Sequence, residues 1–161
     1  NEVDPSDSLI VATDKKAGLY VYGLDGSVRS FLAGGLLNNV DLIELSDGTT
    51  LVAASDRGDP ANAKILLASL DTDSGLLTEL TRIDAGSGEA YGFCLGEQLD
   101  DGSISMYSPI KDGRIAVNMV SLADNGWQSE TRTLAQLPSQ PEGCVFDLLH
   151  GGDQHATHLA H

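Results

Sequence analysis

With 24 Asp and Glu against nine Lys and Arg in 161 residues, the chain has a formal charge of -15, which argues against nucleic acid as a partner, because phosphate backbones are bound by clustered cations that release counterions. Its 41% hydrophobic content is enough for one core and excludes a disordered chain. No apolar run approaches the ~18 residues of a membrane-spanning helix, so no membrane partner is expected.

Eighteen Gly, 5% aromatic residues and short β-forming runs at intervals point to an all-β chain with many turns. Residues 1–8 are polar and contain Pro5, which reads as an entering loop. Asn1 does not begin a signal peptide, so the start reads as mature or cut sequence. Residues 9–12 and 19–22 are strand-like, and Asp14-Lys15-Lys16-Ala17-Gly18 between them has turn chemistry. The hairpin lifts Lys15 and Lys16, the only adjacent cations, to the end of a sheet, where a solvated tip is the plainest local role.

Further along, an Asp-Gly turn at residues 23–27 leads into a strand at 28–32. Residues 34–41, with Asn38 and Asn39, lack helical period and are expected to form a shaped loop running into a strand at 40–45. Strands are expected at 50–54, 64–70 and 76–83, and Arg57 sits in the charged loop after the first of these. A third cycle begins at Glu89-Ala90-Tyr91-Gly92-Phe93-Cys94-Leu95, passes through 103–107, and places Lys111-Asp112-Gly113 in the corresponding loop before strands at 115–122 and 131–134.

The turns at Asp25, Ser74 and Asn125 lie 49 and 51 residues apart. A period of about 40–50 residues with about four strands per unit is the signature of a β-propeller, whose blades are four-stranded sheets packed on their neighbours. Three such units make an arc rather than a closed ring. Open blade edges on an arc would pair with a neighbouring propeller domain or with another arc. A fourth unit begins at Glu142-Gly143-Cys144-Val145-Phe146-Asp147, whereas residues 148–161 lack β alternation and hold all four His. The expected organisation is a partial propeller over 1–147 followed by a disordered tail over 148–161. His155, His158 and His161 recur every third residue, as metal ligands on a helix can, but a short terminal tail is more often simply frayed. Cys94 and Cys144 belong to no zinc spacing, and a disulfide or two buried thiols both remain open.

Five segments in order carry a family resemblance: Asp14-Lys15-Lys16-Ala17-Gly18-Leu19-Tyr20-Val21-Tyr22, Leu37-Asn38-Asn39-Val40-Asp41-Leu42, Ala54-Ser55-Asp56-Arg57, Tyr91-Gly92-Phe93-Cys94 and Gln140-Pro141-Glu142-Gly143-Cys144. Together the chain resembles the β-propeller phytases, calcium-dependent, usually secreted enzymes of six-bladed fold that remove phosphate from inositol hexakisphosphate (phytate). The resemblance implies about three four-stranded blades of that fold and a secreted or periplasmic location. It also implies substrate-phosphate binding by Lys15, Lys16, Arg57 and Lys111, a site role for Tyr91, a catalytic and calcium-binding role for Glu142, and a calcium role for Asp41.

Departures from the family pattern go with these matches. The family's opening Asp-Asp-Pro-Ala-Ile-Trp segment precedes the point where this chain begins, and Leu36 or Leu37 stands where Arg is usual. Most calcium ligands implied by the resemblance are absent, so the isolated chain is expected to be weak or inactive. The competing expectation is a non-catalytic incomplete propeller that binds a phosphate ester or calcium.

Overall fold

The computed structural model describes residues 5–137. After a short 3₁₀ turn, Pro5–Asp7, the chain is built from β-strands in three antiparallel sheets. The first contains β1 (Leu9–Asp14), β2 (Gly18–Gly23) and β3 (Val28–Ala33). The second contains β4 (Leu37–Glu44), β5 (Thr50–Asp56), β6 (Asn62–Asp71) and β7 (Leu76–Ser87). The third contains β8 (Cys94–Gln98), β9 (Ile104–Pro109), β10 (Arg114–Ala123) and β11 (Gly126–Gln136). The all-β partial propeller expected from the repeat is what forms, with the difference that the first sheet has three strands among the described residues.

Each sheet is a meander of sequential hairpins, and the sheets stack like blades. β1 packs on β4 and β4 on β8 along one edge, while β3 packs on β7 and β7 on β11 along the other. The middle sheet is covered on both faces, which explains its sequence. In β5, Leu51 and Ala53 face the third sheet and join Ile65, Leu67, Leu95, Ile104 and Met106, while Val52 and Ala54 face the first sheet and join Leu19, Val21, Leu66 and Ala68. A strand covered on both faces loses the polar alternation of a half-exposed one and reads as an unbroken apolar run. The first sheet instead keeps one open face, where the Tyr20 ring stacks on Tyr22 at 5.6 Å and packs at a tilt against Phe31 at 4.5 Å between ring centres.

The expected loop at 34–41 is corrected. β4 begins at Leu37 and takes in Asn38 and Asn39, with the register slipping between Leu37↔Asp56 and Val40↔Ala54. The two Asn occupy this bulge because their groups bond sideways: the Asn39 N–H donates to Ser55 Oγ at 3.1 Å and Asn38 Nδ2 donates to the Tyr91 carbonyl in the loop that leads into the third sheet. Strand and turn positions elsewhere follow the repeat, although β7 and β11 run longer than the apolar patterning of 76–83 and 131–134 indicates.

Because every connection is antiparallel, the loops sort onto two ends. Residues 15–17, 34–36, 57–61, 88–93 and 110–113 lie at one end, and 24–27, 45–49, 72–75, 99–103 and 124–125 lie at the other. Glu142, Cys144, the start of a fourth unit and the His-bearing tail fall outside the described residues, and with them the pairing of the two cysteines.

Candidate functional site: a cationic rim at one end of the arc

Four of the nine cations, Lys15, Lys16, Arg57 and Lys111, are in loops of the first end, and no Lys or Arg is in the five loops of the other. The common placement follows from strand parity: each of these residues comes after a strand that runs in the same direction.

Lys15 and Lys16 are exposed on the β1–β2 turn, which is closed by the Ala17 N–H to Asp14 O and by the Lys16 N–H to Asp14 Oδ1 at 2.9 Å. Gly18 follows with φ +149, and a Cβ there would stand 2.0 Å from the Leu32 carbonyl oxygen and 2.6 Å from the Gly34 nitrogen. Only glycine lets this turn lie so close to β3. The turn is tied onward, since Gly34 and Gly35 N–H groups donate to the Ala17 carbonyl and the Arg57 N–H donates to the Leu36 carbonyl. A second path crosses all three sheets: Thr13 Oγ1 donates to the Asn38 carbonyl at 2.8 Å, and Asn38 donates to the Tyr91 carbonyl.

Arg57, Tyr91 and Lys111, which come from separate loops, meet around Glu89. Arg57 Nε lies 3.1 Å from Glu89 Oε1, and Lys111 Nζ lies 3.2 Å from Oε2. The Arg57 guanidinium sits 5.9 Å from the centre of the Tyr91 ring, within reach of a cation–π attraction. Lys111, and after it Arg57, hold the Glu89 carboxyl below the ordinary carboxylate range, against the opposing effect of partial burial. Glu89 is the residue that sequence reasoning left without a role. The signal available was a carboxylate two residues before Tyr91 in a loop facing two of the chain's few cations.

Behind this rim lies an ion pair that braces it. Asp56, buried at the end of β5, accepts from Arg82 Nη1 and from the Gly58 N–H at 2.8 Å, and Arg82 also donates to the Gly34 carbonyl at 3.1 Å. The loop that carries Arg57 is thereby fastened to the loop between the first two sheets. A cleft of about 370 Å³, lined by residues including Asp7, Arg29, Asp73 and Ser74, lies at the opposite end and shares none of these side chains.

Calcium takes roughly six to eight oxygen ligands, several of them carboxylates. Among the described residues no group of three or more His, Cys, Asp or Glu side chains is placed to hold a metal ion. Asp41 accepts the N–H of its neighbour Leu42 with Oδ1 at 2.8 Å and the Leu95 N–H with Oδ2 at 2.9 Å, so one of its oxygens ties the second sheet to the third. The buried Asn38 Oδ1, which has no partner among the described residues, is one neutral oxygen. Residues 5–137 therefore do not by themselves make up a calcium site: of the two carboxylates expected to serve, Asp41 is among them and Glu142 lies beyond them.

A family model described as Phytase matches residues 1–152. A curated relative, a 3-phytase of Bacillus subtilis (strain 168), is 31% identical over 156 residues, which cover 91% of this chain and 41% of the relative. The chain thus spans about two fifths of the length of the curated relative it matches.

Proposed function

Because the chain belongs to the phytase family, a family of phosphoric monoester hydrolases, we propose that its cationic rim binds the phosphate groups of phytate and that it serves calcium-dependent hydrolysis of that ester. The observation that carries this reading is the convergence of Arg57, Tyr91 and Lys111 at one place, on the same end as Lys15 and Lys16, in a chain of net charge -15. Where acid outnumbers base so heavily, four loop cations placed at one end, with a single Glu89 shared between Arg57 and Lys111, favour an anion there over general solubility.

The chemistry divides between residues. Arg57 can present two parallel N–H groups to a phosphate, Lys15, Lys16 and Lys111 act as point charges, and the Tyr91 ring supports the guanidinium from one side. When calcium is bound in such a site it neutralises phosphate charge and polarises phosphorus. The described residues bind and orient the ester, whereas the carboxylates for calcium must include Glu142 and others outside 5–137. On this reading the 161-residue chain by itself holds phytate and hydrolyses it weakly or not at all. Phosphate release assayed with and without a chelator tests this, and rapid calcium-dependent turnover by the purified chain would contradict weak activity.

A second reading is a binding module without catalysis, and what favours it is the lack of a three-carboxylate group among the described residues. Calorimetric heat of phytate binding unaccompanied by phosphate release, with calcium present, identifies the module; turnover identifies the enzyme.

A further inference from the structure

Among the described residues, Glu89 is the one acidic side chain that touches two of the rim's cations. We infer that Glu89 is a positioning residue for the phosphate grip, a single carboxylate that spans Arg57 of one blade junction and Lys111 of the next and holds both at a fixed separation. The inference rests on the reading of this rim as a phosphate site.

Three observations support it. First, the two oxygens are divided: Oε1 takes Arg57 Nε at 3.1 Å and Oε2 takes Lys111 Nζ at 3.2 Å. Two like charges brought this close repel each other, and the anion between them offsets that repulsion. Second, burial is graded, with 18% of the Glu89 side chain exposed against 34% for Arg57 and 54% for Lys111. The carboxylate sits low and the cations stand nearer to water. Third, Glu89 is held by its own backbone, since its carbonyl accepts the Lys111 N–H at 3.2 Å, Ala90 bridges to Ile110, and the Tyr91 and Gly92 N–H groups both donate to the Pro109 carbonyl at 3.2 Å.

What Glu89 leaves unused matters as much as what it takes. Arg57 spends its Nε on Glu89, so the two terminal nitrogens, the pair suited to bidentate contact with phosphate, have no hydrogen-bond partner among the described residues. Lys111 Nζ has one acceptor and two further N–H groups. The three side chains sum to one positive charge, with free donors on the cations. A phosphate therefore meets side chains that are already ordered, and the conformational cost of binding two long cationic chains is reduced. Repulsion between Glu89 and the incoming phosphate is limited because that carboxylate is already neutralised on both oxygens.

The test is calorimetric titration of the full chain with inositol hexakisphosphate, alongside thermal unfolding. Glu89→Gln keeps size but can accept from one cation at full strength rather than two, and it is expected to weaken binding about tenfold with little change in Tm. Glu89→Asp keeps the charge and gives up the span, and it is expected to weaken binding by a similar factor. In an Arg57→Ala/Lys111→Met background, Glu89→Gln is expected to change affinity by less than about twofold, because the residues it acts through are gone. Unchanged affinity in Glu89→Gln, retained affinity in Glu89→Asp, or an equal loss in both backgrounds would overturn the positioning role. Absence of any binding by the unaltered chain would instead overturn the phosphate reading of the rim, and this inference with it.

Discussion

The two ends of the arc are made from the same kind of turn and put to different uses. At the end opposite the rim, Asp25, Asp47, Asp71 and Asp101 each accept the N–H two residues on, from Ser27, Thr49, Asp73 and Ser103 at 2.9–3.0 Å. These carboxylates close the hairpins and are thereby satisfied. At the rim, Asp14, Asp59 and Asp112 do the same local work, but the loops also carry Lys15, Lys16, Arg57 and Lys111, whose charges exceed what the turns need. Much of the acidic excess is therefore turn chemistry, and the cations are where the molecule departs from its own pattern. Among the described residues, many carboxylates hold backbone N–H groups.

Substitutions at the two ends should differ in size of effect. Gly18→Ala should have the largest effect, about 3 kcal/mol of stability lost, because its Cβ meets the Leu32 carbonyl at 2.0 Å and the Lys-bearing turn must move off β3. Denaturant unfolding measures it, and a loss below about 1 kcal/mol would show that the turn has room to shift. Next, Lys15→Ala with Lys16→Ala should weaken phytate binding about 100-fold, roughly tenfold for each charge-assisted contact, and leave Tm almost unchanged. Preserved affinity would remove the hairpin from the site.

Acidification should act on the other end more than on the rim's cations. The Asp25, Asp47, Asp71 and Asp101 carboxyls titrate below their ordinary value, chiefly through bonds to Ser27, Thr49, Ser74 and Ser103 respectively. A lowered folded-state value contributes stability above the unfolded value, about 3.9 for Asp, which is lost as pH falls through the lowered one. Thermal stability is thus expected to be level from neutral pH to about 4.5 and to fall below that. Glu89 shifts in the same direction, so the Arg57–Glu89–Lys111 bridge persists at neutral pH and is lost in the same acid range. The smallest effect belongs to Asp25→Ala with Asp101→Ala, which should lower Tm by a few degrees and change phytate affinity by less than about twofold.

Much of this was legible in the linear chain. Asp-Gly steps at 25–26, 47–48, 101–102 and 112–113 mark turns because the glycine adopts positive φ, and the runs between them mark strands. The repeat at Asp25, Ser74 and Asn125 placed the same hairpin turn of successive sheets, and strand parity then put the cations on one end. Asn38 and Asn39 misled because their turn propensity is used inside a strand, at a bulge whose bonds go to Ser55 and to the next sheet. Glu89 offered only its place two residues before Tyr91, because its partners lie 32 and 22 residues away and no periodicity encodes a contact made across a blade junction. The Asp41 contact to Leu95 in the following sheet likewise shows only in three dimensions.

One end of the arc is proposed as a phosphate site and the other is not. Amide NMR spectra of the chain recorded during titration with phytate test that directly. Shifts confined to residues 15–17, 57–61, 88–93 and 110–113, weakening as salt is raised, are the predicted result. Shifts centred on Asp25, Asp47 and Asp101, or spectra unchanged by phytate, would contradict it.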